Sequence, residues 1–134
     1  MKKLIVLFIL TIGISSCSND DNATSTTALE GDWLLVYQYG GDPPPGQEPP
    51  GDISNQNIKY HFTGNKQKIT KNDQILHNDI TFTLIKEGDS YMFTYKNTEF
   101  DEISKSRVTF TNNNTIASFK AMDIDAGYTL QKIQ

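Results

Sequence analysis

The side chains able to do chemistry in this chain are few. Its two histidines, His61 and His77, stand sixteen residues apart, and neither pairs with a cysteine or a second histidine at ligand spacing. Zinc sites draw on such clusters, so no zinc is expected. Glu99, Asp101 and Glu102 form one acidic group, and Asp123 and Asp125 another. Neither follows the alternating oxygen ligands and terminal glutamate of a calcium-binding loop, so both read as solvated turn carboxylates. No glycine-rich phosphate loop or nucleophile elbow is present. A hydrolase would need a pair such as His77 and Asp79 to meet in a cleft. Enzymatic activity is not expected, and no cofactor is implied.

Aromatic side chains are the better supply. Strand alternation puts Trp33, Tyr37, Tyr60, Phe62, Phe82, Tyr91, Phe93, Tyr95 and Phe110 largely in inward registers. A small domain needs such residues as its core. Some can also line a cavity for an apolar ligand, with tyrosine hydroxyls at its mouth. The candidate ligand-contacting set is Tyr37, Tyr60, Phe62, Phe82, Phe93 and Tyr95.

Those residues must be positioned by strands. Residues 29–39, Leu-Glu-Gly-Asp-Trp-Leu-Leu-Val-Tyr-Gln-Tyr, contain the only tryptophan and open the folded part of the chain, and Gly40-Gly41 stops them. Every proline lies between Pro43 and Pro50. That stretch reads as a stiff connection between two strands, or as a loop that gates a ligand or meets a partner. From Asn57 the chain alternates, with Ile58, Tyr60 and Phe62 on one side and Gly64-Asn65 as a hairpin turn. Further strands are expected over 66–70, 79–86, 90–96, 106–111, 115–121 and 128–133. Weaker ones are expected over 74–77 and 99–103. Asn112-Asn113-Asn114 and residues 123–127 have turn composition. About eight short antiparallel strands and no helix after residue 16 predict an all-β meander, closed into a barrel or folded as a sandwich. Closure removes exposed strand edges.

The opening of the chain reads as an address. Met1-Lys2-Lys3 is basic, Leu4 to Ile14 is an apolar run broken by Thr11 and Gly13, and Ser15-Ser16 precede Cys17, the only cysteine. This is the build of a secretory signal, too short to span a bilayer as a mature helix. Ile14-Ser15-Ser16-Cys17 resembles the lipobox of bacterial lipoproteins. That resemblance implies cleavage after residue 16 and acylation of Cys17, anchoring the protein to a membrane. The acidic pair in Ser18-Asn19-Asp20-Asp21 resembles a signal that exports some Gram-negative lipoproteins to the cell surface. The expected location is therefore the bacterial envelope, as an outer-membrane lipoprotein. Residues 17–28 would serve as a polar tether. Loss of residues 1–16 would leave ten basic residues against sixteen acidic ones. With no basic cluster among aromatics, nucleic acid is not an expected partner. An acidic body would also stand off anionic lipid, leaving the anchor as the membrane contact.

Leu29-Glu30-Gly31-Asp32-Trp33 resembles the Gly-x-Trp opening of lipocalin-like domains. Gly127-Tyr128-Thr129-Leu130-Gln131-Lys132-Ile133 is similar to the last strand of the small lipocalin-like domains of bacterial lipoproteins. The resemblance spans residues 29–134 and implies an eight-stranded up-and-down barrel. Gly31 and Trp33 would then be structural, at the plugged end, with Arg107 as the candidate arginine to stack on the tryptophan. It also implies binding of a small hydrophobic or amphipathic ligand. The alternative is a filled barrel acting as a protein-interaction module, such as an envelope inhibitor or assembly accessory.

Overall fold

A computed structural model describes residues 26–40, 51–97 and 101–134. The signal segment 1–16, Cys17, most of the tether and the proline-rich stretch 43–50 lie outside the described residues.

Eight antiparallel strands pair in chain order and close into one barrel: β1 (Gly31–Tyr39), β2 (Ile58–Thr63), β3 (Lys66–Lys71), β4 (Gln74–Glu87), β5 (Ser90–Asn97), β6 (Glu102–Thr111), β7 (Ile116–Ala121) and β8 (Gly127–Lys132). The all-β meander expected from the alternation is the architecture found. β1 and β8 make the closing seam, from Trp33 opposite Lys132 to Tyr39 opposite Gly127. The tightest connections rest on residues that tolerate positive φ. Asn72 and Asp73 take φ of 50° and 63°, and Asn112, Asn113 and Asn114 take 52°, 55° and 62°.

Two pairs of expected strands are single elements. Residues 74–77 and 79–86 belong to one strand, β4, which kinks at Asp79 with φ of 54° where its register against β3 slips. An extra residue in one strand of a pair bends it in this way. The expected strands 99–103 and 106–111 correspond to one element, β6, described from Glu102.

The core follows the alternation. Phe62, Phe82, Phe93, Phe119, Leu84 and Leu130 are among its fully buried side chains. Phe82 stacks on Phe93 at 5.1 Å, and Phe62 meets Phe82 edge-on at 5.5 Å. Phe119 meets Phe93 edge-on at 5.3 Å. Such pairs contribute about 0.5–1.5 kcal/mol each beyond the area they bury.

The end of the barrel where β1 begins is stoppered. Trp33 is fully buried and its Nε1 donates 2.8 Å to the Leu29 carbonyl, which holds the turn at 26–30 beneath the strands. Leu29 is itself fully buried. Phe110 packs on Trp33 at 6.3 Å and on Tyr91 at 5.3 Å. Gly31, expected with Trp33 to be structural, takes φ of +112° at this packed end. Arg107 does not stack on the tryptophan. It alternates with inward Ser106 and Val108 and so lies exposed on the outer face. Lys132 takes that place.

Candidate ligand site at the far end of the barrel

The other end is built differently. Along β2, β5 and β8, the next inward residue beyond the phenylalanine layer is a tyrosine: Tyr60 after Phe62, Tyr95 after Phe93, and Tyr128 across from Phe119. Tyr60 stacks on Tyr128 at 5.6 Å, and Tyr128 lies almost flat on Phe119 at 4.5 Å. Tyr95 leans on Phe93 at 5.8 Å. The rings are partly buried and continue the core upward.

Their hydroxyls share one neighbourhood. Burial pushes the Tyr60 hydroxyl up to about 12, with Tyr95 adding to the shift. Burial also raises Tyr128 well above its ordinary value, with Tyr60 and Tyr95 both contributing. Each ring nevertheless keeps part of its surface accessible. Tyr60 and Tyr128 are therefore uncharged at neutral pH, and each hydroxyl can donate and accept hydrogen bonds.

Two further polar groups face inward nearby. Gln67, 4% exposed, stands opposite Phe62, and Ser106, 9% exposed, stands opposite Phe93. Among the described residues, no side-chain hydrogen bond engages Gln67, Ser106, Tyr60, Tyr95 or Tyr128, and no fully buried polar side-chain atom lacks a partner. Their polar side-chain atoms therefore keep some solvent exposure.

Of the six candidate ligand contacts, Phe62, Phe82 and Phe93 form the floor, and Tyr60 and Tyr95 stand above it. Tyr37 does not join them. The register of β1 against β8 shifts between Leu35 and Tyr37, so Val36 is an extra residue. Alternation restarts after it, and Tyr37 turns out of the barrel, 46% exposed and paired with outward Thr129. A bulge is invisible to a count of every second residue. Tyr128 and Phe119 also belong to this cluster; each fits the alternation of its strand, but both lie in short segments with few flanking aromatics and so stand out little in the sequence. Gln67 gave no signal, since a glutamine between lysines reads as surface.

Among the described residues, six of the seven large apolar side chains left exposed lie at this same end: Tyr37, Ile75, Leu76, Ile103, Met122 and Ile124. All lie next to the connections that follow β1, β3, β5 and β7.

A second constellation sits on the outer wall. His61 Nδ1 lies 2.7 Å from Asp32 Oδ1, and its Nε2 lies 3.1 Å from Thr70 Oγ1. Carboxylate, imidazole and hydroxyl stand in the order of a nucleophilic triad. Thr70 is only 6% exposed, however, so a substrate carbonyl has no approach to its oxygen. The three residues instead clasp β1, β2 and β3 together. His61, on the outward face of its strand, is half-buried and engaged at both ring nitrogens. His77 and Asp79 are both exposed. Among the described residues, no group of three His, Cys, Asp or Glu side chains is placed to hold a metal ion.

No family model, curated protein or solved structure matches the chain.

Proposed function

We propose that this chain is a lipid-anchored envelope protein whose barrel carries a small hydrophobic or amphipathic molecule, without catalysing its conversion. The far-end cluster supports the binding part: three tyrosines with unengaged hydroxyls above an apolar phenylalanine floor. Mostly apolar lining with a few convergent polar groups is the usual make-up of a small-molecule site. The anchor rests on Ile14-Ser15-Ser16-Cys17, and outer-membrane or surface placement on the acidic pair Asp20-Asp21. In this reading Cys17 bears the acyl chains and the barrel stands off the membrane on the polar residues 18–28.

Native mass spectrometry of the protein taken gently from its own host's envelope tests the carrier function. A discrete extra mass that disappears on denaturation is expected. A bare mass under conditions that retain a known ligand on another carrier would overturn it. For the anchor, Cys17→Ser should be exported yet lose its lipid. Partition of that variant into detergent with the membranes would refute acylation at Cys17.

A second reading is favoured by the exposed Ile75, Leu76, Ile103, Met122 and Ile124. A ring of this kind also suits docking of a protein partner, making the chain an envelope inhibitor or assembly accessory. Crosslinking in the host envelope from position 103 or 124 tests it. A discrete protein adduct is the expected result, and the absence of one at both positions counts against the reading.

A further inference from the structure

The polarity of the far end has a direction. Hydrogen-bonding groups lie inside, above the phenylalanine layer, and apolar groups lie outside, around the mouth. We infer that the barrel takes an uncharged amphiphile head first, with a neutral hydroxyl- or ester-bearing head among Tyr60, Tyr95, Tyr128 and Gln67. Its apolar tail would lie against the mouth at Ile103 and Met122. This rests on the carrier function proposed above and specifies the class of ligand.

Charge decides the head. Among the described residues, the buried polar ones are Gln67, Thr70 and Ser106, none of them ionisable in the physiological range. Among the described residues no buried cation would pair a carboxylate or phosphate brought among the tyrosines, and an uncompensated buried charge is strongly unfavourable. A cationic head fares no better. Cation recognition by aromatics needs free ring faces. Here Tyr128 has Phe119 on it at 10° between planes, and Tyr60 lies against Tyr128 at 25°. The faces of Tyr60 and Tyr128 are thus used in stacking, while their hydroxyls make no side-chain hydrogen bond. Gln67 adds an amide that donates and accepts, buried at 4% exposure without a partner of its own. A glycerol or similar polyol ester matches this set, because each of its hydroxyls also donates and accepts.

The tail has the complementary argument. An aliphatic chain driven in first would fill the floor but leave the hydroxyls of three tyrosines and the Gln67 amide facing methylenes. Unmet buried polar groups lose the hydrogen bonds they had to solvent. Head-first entry satisfies them and leaves the tail beside exposed apolar side chains.

Isothermal titration of the mature chain, residues 17–134 carrying Cys17→Ser, tests this with three probes sharing one tail: monolauroylglycerol, laurate and dodecylammonium, each below its micellar range at neutral pH. Monolauroylglycerol should bind at least about tenfold more tightly than either ion. Tyr60→Phe, Tyr128→Phe and Gln67→Leu should each weaken it by roughly three- to tenfold, the worth of one hydrogen bond. Because the lost groups have no partners within the protein, these variants should keep the wild-type thermal midpoint or exceed it. Nuclear Overhauser contacts should join glycerol protons to tyrosine rings and the terminal methyl to Ile103 or Met122. Equal or tighter binding of an ion, indifference to all three substitutions, or reversed contacts would overturn the inference while leaving a carrier function standing. Binding of none of the three would overturn it together with amphiphile carriage.

Discussion

Lys132 Nζ lies 5.4 Å from the centre of the Trp33 ring, and the two residues are direct partners across the β1–β8 seam. The last strand of the barrel therefore covers the tryptophan with which the first begins. Gly31 completes the arrangement, since a Cβ there would meet Lys132 Cε at 3.4 Å and its φ of +112° is costly for other residues. The cation is supplied by the seam itself rather than by the arginine on β6.

Lys132→Ala should lower stability by about 0.5–1 kcal/mol, the usual worth of such a contact near the surface. Urea unfolding followed by Trp33 fluorescence measures the loss, and the folded-state emission should shift as the cation leaves. Lys132→Arg should retain most of the stability.

Phe93 touches Phe62, Phe82 and Phe119, so it holds the floor of the candidate site together. Phe93→Ala should cost about 3–5 kcal/mol, from lost transfer energy and a cavity that its neighbours fill incompletely. Thermal unfolding checks this. Tyr60→Phe should show no such loss.

Tyr60 titrates near 12 in the folded barrel against 10 ordinarily, and Tyr128 is displaced in the same direction. The folded state thus holds these protons more tightly than the unfolded chain does. Their contribution is fully present below about pH 10 and falls as pH rises through the folded values. Spectrophotometric titration should show a late-ionising tyrosine component that appears together with alkaline unfolding. Tyr60→Phe should move the unfolding midpoint to higher pH.

The His61 clasp should be modest in energy, because Asp32 is 58% exposed. A double-mutant cycle with Asp32→Ala and His61→Ala should return a coupling of about 0.5–1 kcal/mol. Any hydrolytic activity lost on Thr70→Val would contradict its assignment as structural.

Gly127 faces the Phe119 carbonyl and the Tyr39 hydroxyl so closely that a methyl group has no room. Gly127→Ala should destabilise the β7–β8 and β1–β8 pairings by about 3 kcal/mol through overpacking. Faster amide exchange confined to those strands would confirm the location.

Much of this molecule was determined locally. Alternation of Ile58, Tyr60 and Phe62, and of Tyr91, Phe93 and Tyr95, decides strand type and which face is buried, because a pleated strand sends successive side chains to opposite sides. The turn residues Asn72-Asp73 and Asn112 to Asn114 decide where strands reverse. With enough such strands and no helix, closure follows from the need to pair both edges. Three things were decided only by the tertiary structure. The bulge at Val36 depends on how β1 meets β8, and it sends Tyr37 outward against its sequence register. Lys132 reaches Trp33 only because the chain's first and last strands become neighbours. The site itself gathers Tyr60, Gln67, Tyr95 and Tyr128 from four strands, and no spacing along one strand encodes a meeting across the barrel. Alternation specifies which face a side chain takes, whereas register between distant strands specifies which side chains meet.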